Sequence, residues 1–165
     1  MKEVVEVTAR NQWILFIYRL PREPSNPRVV LWRKLRRLGV VQLNDGLVAL
    51  PADARSKEQM EWLADEVIEA GGEASVWVGY PSSLADEKSL ISKMSEAVSN
   101  DYKSIVSEAA AALESPSAVR RRTVARLQRE YWRIRSRDYF HTDERDEAYL
   151  ALAELASREN LVVMQ

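Results

Sequence analysis

Residues 13–54, WILFIYRLPREPSNPRVVLWRKLRRLGVVQLNDGLVALPADA, hold in succession a buried strand, a proline-studded arginine loop, a basic helix and a hairpin. Trp13 to Tyr18 is apolar at odd and even positions alike, the pattern of a central strand covered on both faces. Pro21, Pro24 and Pro27 forbid regular structure until Ser25 or Asn26 caps a helix that begins at Pro27. In that helix Leu31, Trp32, Leu35 and Leu38 recur at three- and four-residue spacing, Arg33, Lys34, Arg36 and Arg37 take the other side, and Gly39 ends it. Asn44-Asp45-Gly46, between Val40–Leu43 and Leu47–Leu50, supplies the positive backbone angle that a tight hairpin needs.

Outward from this stretch, a second helix over 57–70 buries Met60, Leu63, Ala64 and Val67 and stops at Gly71-Gly72, and a strand follows over 73–80. Strand, helix, strand, strand, helix, strand is the order of a ferredoxin-like βαββαβ sheet with two helices on one face and the first and third strands central. Large side chains on both sides of Trp13–Tyr18 require a cover for the other face, either the remaining residues or a second copy, so a homodimer is expected. Trp62 points away from its helix's apolar stripe and adds to that case.

Residues 81–165 read as helical, which makes the whole an α+β chain with domains over 1–80 and 81–165. Ser83 and Asp86 form a capping-box-like start, and Ile91, Met94, Val98, Tyr102, Ile105 and Ala109 continue a seam to about Leu113. Ser115-Pro116 breaks the chain and starts a helix to about Arg137; Thr142 caps a last helix through Ala156. Two long helices joined by a short turn pack as an antiparallel hairpin.

Net charge is −1, but it is segregated: +5 over 1–50, −8 over 51–114, +7 over 115–137 and −5 over 138–165. Basic blocks of this kind steer phosphates or oxyanions, and alternating blocks equally dock a protein's own helices. Cysteine is absent, which excludes disulfides, thiolate metal sites and thiol chemistry. The first residues, MKEVVEVTAR, carry acids and no long apolar run, so neither a secretory leader nor a membrane span is expected and the cytoplasm is the default location.

Three constellations carry candidate chemistry. At about 100° per residue, Val124, Leu127, Tyr131 and Ile134 fall on one side of the helix from Ser117 while Arg122, Arg126, Arg129, Arg133 and Arg137 form a ridge opposite. Phosphates along the ridge suit five adjacent guanidinium groups, as do acids of a neighbouring helix. Arg33, Lys34 and Arg37 of the first basic helix join them as candidate double-stranded DNA contacts. Arg135 falls among the apolar positions and needs a carboxylate, with Asp101, Asp138 and Glu108 as candidates. Arg19, Arg22 and Arg28 flank the prolines just before a helix N-terminus, a candidate oxyanion cradle, or else a rigid loop paired with Glu23, Asp45 or Asp53.

No enzyme is expected. His141 has no nucleophile motif around it, and no Gly-rich phosphate loop, H-E-x-x-H pattern or two-metal carboxylate pair occurs. No cofactor or metal is called for. Glu58, Glu61, Asp65, Glu66 and Glu69 read as a solvated helix face.

The same residues resemble the N-terminal domain of the ChrB family of chromate-resistance regulators. There a W-x-L-x-I-Y-R-L-P strand is followed by E-P-S, a W-R-K/R-L helix and a D-G-x-x-x-L-P hairpin. ADEKSLISKM at 85–94, Asn100-Asp101-Tyr102 and RIRSRDYF at 133–140 extend the likeness over nearly the whole chain. The resemblance implies a chromate-responsive transcriptional regulator, or its N-terminal half, since a further C-terminal domain usually follows in the family. It also makes chromate a candidate for the Arg19, Arg22, Arg28 cradle. A wider similarity runs to PaaX-type repressors and to the ferredoxin-like subunit of CRISPR spacer-integration complexes. Where the nuclease version of that subunit ends its first strand in a metal-binding aspartate, this chain has Tyr18-Arg19, which disfavours metal-dependent cleavage. The other readings are a dimerisation or protein-interaction module that does not touch DNA, and an oxyanion-sensing domain.

Overall fold

In a computed structural model, residues 11–160 and Val163 are described. The reading of residues 1–10 as free of a leader, and the outer ends of the two expected domains, lie outside them. The elements are β1 (Trp13–Arg19), α1 (Asn26–Leu38), β2 (Val41–Asn44), β3 (Leu47–Pro51), α2 (Ala54–Glu69), β4 (Glu73–Gly79), α3 (Leu84–Ala112), α4 (Ser117–Arg135) and α5 (Glu144–Ser157). The strands pair antiparallel in the order β2-β3-β1-β4, so β1 and β3 are central, as a ferredoxin-like chain requires. Two compact units divide inside α3, between Ile91 and Ser92.

In the first unit, alternation along β1 sends Ile14 and Phe16 to one face, opposite Leu50 and Val48 of β3. All four are fully buried, as are Leu35 of α1 and Met60 of α2. The opposite parity is less covered than its sequence implied: Trp13 is buried but Ile17 is 44% exposed, so β1 is not enclosed on both faces along its length. Trp62 stands 61% exposed, as its position off the stripe of α2 dictates.

Local signals set the ends of these elements. Gly39 takes φ 77° and closes α1, its N–H donating to the carbonyls of Leu35 and Arg36. Ser25 occupies the cap position of α1 without a side-chain cap hydrogen bond, because its backbone is helical (φ −77°, ψ −20°) rather than extended. Asp53, whose carboxylate accepts from the Ser56 N–H at 2.6 Å, starts α2 three residues earlier than the sequence pattern placed it. Gly46 ends the hairpin turn at φ 74°, and its carbonyl accepts from the Tyr18 N–H at 2.8 Å.

The second unit is helical. Val98, Tyr102, Ile105 and Ala109 of α3, Val124, Leu127, Tyr131 and Ile134 of α4, and Ala148, Leu152 and Leu155 of α5 form one buried cluster. Within it the Tyr131 ring lies 5.7 Å from Tyr102 and 6.2 Å from Tyr149. Glu108 pairs with Arg126 and Asp101 with Arg137, a crossed order that makes α3 and α4 antiparallel. Burial, reinforced by the adjacent Asp138 carboxylate, raises the Tyr102 hydroxyl above the usual tyrosine range, and that hydroxyl donates to Asp138 at 3.3 Å. Thr142 does not cap α5: its hydroxyl makes no hydrogen bond, and the helix begins at Glu144 after Asp143.

A clasp joins the start of α4 to the end of α5. Ser117 Oγ donates to Glu159 at 2.5 Å and Arg120 Nε donates to it at 2.6 Å, while Arg120 also reaches the Ser115 carbonyl at 2.6 Å. These donors hold the Glu159 carboxyl below the usual glutamate range. A lowered folded-state value contributes stability above the unfolded one, and that contribution is lost as pH falls through the folded value. Glu159→Gln is therefore expected to lower the Tm at pH 7, with the gap to wild type closing below the ordinary glutamate value of about 4.3. Thermal melts across that range check it; a gap that stays constant into acid contradicts it.

Candidate nucleic-acid interface

α4 owes its two faces to a strict helical period. Val124, Leu127, Tyr131 and Ile134 are buried, and Arg122, Arg126, Arg129 and Arg133 are exposed along the opposite side. The fifth expected member, Arg137, lies beyond the helix. Ser136 Oγ donates to the Arg133 carbonyl at 2.7 Å and ends the helical run, and Arg137 turns back to Asp101 at 2.5 Å, half-buried.

The ridge is not uniformly free. Arg126 is held by Glu108 of α3. Among the described residues Arg133 pairs only with Glu130, one turn back on its own helix at 3.7 Å, a solvated pair of small worth. Arg122 and Arg129 have no ion pair or hydrogen bond among the described residues and project from the same side of α4, two turns apart. Two guanidinium groups without counter-charge among the described residues, flanked by two more exposed ones, leave a strip of positive potential along a rigid helix.

Arg135 departs from expectation. It is half-buried, pairs with none of Asp101, Asp138 or Glu108, and lies 4.7 Å over the Trp132 ring, whose π face takes the place of a carboxylate. Besides Arg137, Arg120 is an acid-bound, half-buried guanidinium, four residues before Val124 and hence beside the apolar face. That spacing was present in the sequence.

In the first unit, α1 exposes Arg33, Arg36 and Arg37 without partners among the described residues. Lys34 is engaged by both carboxylate oxygens of Glu66 on α2, at 2.6 and 2.8 Å, so it braces the two helices. Arg19, Arg22 and Arg28 do not converge as a set of three. Arg19 pairs with Glu73 at 2.9 Å, and it and Arg28 line an open cleft of about 680 Å³ that Arg22 does not line.

The fold is that of an α+β domain, a four-stranded antiparallel sheet followed by a helical C-terminal half. A family model described as "Protein ChrB, N-terminal" matches residues 28–161, and the chain belongs to that chromate-resistance family. No curated protein and no solved structure matches it. Among the described residues, no helix is long and apolar enough to cross a membrane.

Proposed function

We propose that this chain takes part in chromate resistance as a regulator of transcription, contacting duplex DNA through α4. The observation that carries the reading is the pair Arg122 and Arg129, exposed and without partners among the described residues, on one side of a helix whose other side is locked into a core. Arg126 and Arg133 extend the strip, and Arg33 and Arg37 of α1 are a second basic surface. Contacts of this kind go to the phosphate backbone and carry no sequence readout of their own. In this reading the chain binds rather than catalyses and acts in the cytoplasm. A second copy belongs to the same proposal, supported by Ile17 and Trp77, 44% and 60% exposed on the sheet; a monomer at micromolar concentration would remove it.

Retention on a duplex as a function of salt tests the DNA contact. Four arginines on phosphates give a slope of about −3.6 in log affinity against log salt, a fall of roughly a hundredfold between about 50 and 200 mM. No retention at the low-salt end would overturn the reading. The pairing of Arg126 with Glu108 and of Arg137 with Asp101 favours one competitor, an interaction module whose basic helix is consumed by its own packing. That module predicts a duplex affinity indistinguishable from zero at every salt concentration.

A further inference from the structure

The cleft beside α1 has features that a DNA-contacting scaffold does not use. Its lining draws on three places in the first unit, among them Tyr18 of β1, Arg28 and Trp32 of α1 with Ser25 just before it, and Asp45 of the hairpin. Trp32 was assigned by spacing to the buried stripe of α1, but it is 38% exposed and turned to this cleft, because it sits about 100° round the helix from Leu31. The Tyr18 ring, stacked on Phe16 at a centroid distance of 5.1 Å, provides a second aromatic surface.

The polar groups around these rings are unspent. The Tyr18 hydroxyl, the Trp32 indole N–H and the Arg28 guanidinium have no hydrogen-bond or ion-pair partner among the described residues, and the Ser25 hydroxyl makes no cap. Neighbouring cations of the same unit behave differently, Arg19 on Glu73 and Lys34 on Glu66. Arg28 precedes Trp32 by one helical turn, so guanidinium and indole share a side of α1. Burial raises the Tyr18 hydroxyl above the usual tyrosine range, with Arg28 opposing and Asp45 reinforcing, so near neutral pH it is a neutral donor.

We propose that this cleft binds a small organic anion, a planar ring bearing one carboxylate or phosphate, with the ring against Trp32 and Tyr18 and the anion on Arg28. The volume, about 680 Å³, is in the range of small-molecule sites, and a lone tetrahedral oxyanion would leave the aromatic walls without a partner. A guanidinium matches a carboxylate or phosphate edge with two parallel hydrogen bonds, and the Ser25 and Tyr18 hydroxyls add donors at its flank. Asp45, at the opposite charge, selects against ligands with anionic groups at both ends. The site is independent of the α4 reading and is tested without DNA.

Phenyl phosphate is the probe, followed through the Trp32 indole N–H in two-dimensional NMR of the full chain, with that signal assigned by its loss in Trp32→Leu. Saturable shifts of the Trp32 signal are expected at millimolar probe or below. Inorganic phosphate, which lacks the ring, and benzyl alcohol, which lacks the charge, should each bind at least tenfold more weakly, and Arg28→Gln should weaken phenyl phosphate at least tenfold with the remaining spectrum unchanged. The proposal is overturned if the Trp32 signal does not move, if either partial ligand binds as tightly as phenyl phosphate, or if Arg28→Gln leaves affinity intact.

Discussion

Replacing Arg122 and Arg129 together by alanine is expected to reduce the salt dependence of duplex binding from a slope of about −3.6 to about −1.8, with affinity at low salt falling by one to two orders of magnitude. The pair is the informative choice because neither guanidinium is bonded within the described chain. Nothing in the packing of α4 is lost with them, and alanine is the better helix former. Removing Arg126 instead would confound the result, since it also releases Glu108, and Arg120→Ala would open the clasp on Glu159. If the double variant keeps the wild-type slope, phosphates are being met elsewhere, and α1 becomes the surface to examine.

The second large effect is on stability. Gly46→Ala is expected to cost about 2–4 kcal/mol, from the strain of a left-handed residue with a side chain and the loosening of the hydrogen bond between β1 and the hairpin turn. Gly46 has φ +74°, and a Cβ there would lie 2.4 Å from the Tyr18 carbonyl oxygen, a backbone atom that cannot swing aside. Relief requires β1 and the hairpin to part where the Tyr18 N–H donates to Gly46 at 2.8 Å. Chemical denaturation measures the loss. A change within about 0.5 kcal/mol, the size of an ordinary surface substitution, would mean that the turn rearranges freely. The same displacement moves Tyr18 and Asp45, so the variant should also blunt phenyl phosphate binding in the cleft.

The sheet was legible because its punctuation is strong. Pro27 and Gly39 bracket α1, Asp45-Gly46 turns the hairpin, and the apolar runs on β1 and β3 mark the two central strands. The outward side of α4 was legible for the same reason: period alone places Arg122, Arg126, Arg129 and Arg133 opposite Val124 and Leu127. Which of those arginines are spent on internal acids was not. The pairings Arg126 with Glu108 and Arg137 with Asp101 depend on the register at which α3 and α4 cross, and no single helix encodes it. The cleft beside α1 was hidden for a related reason, since Tyr18, Trp32 and Asp45 meet only once the sheet has folded. Arg120 and Trp32 are different cases: both angles were available from the spacing, Arg120 on the apolar side of α4 and Trp32 off the stripe of α1.

The side-chain Nε–Hε NMR signals of individual arginines, followed on addition of duplex DNA at low salt, report whether α4 presents its guanidinium groups to phosphate. Arg122 and Arg129 should shift progressively and saturate together, while Arg120, held by Glu159, should not move. Shifts confined to other arginines, or an unchanged spectrum at saturating duplex, would mean that α4 does not meet the phosphates.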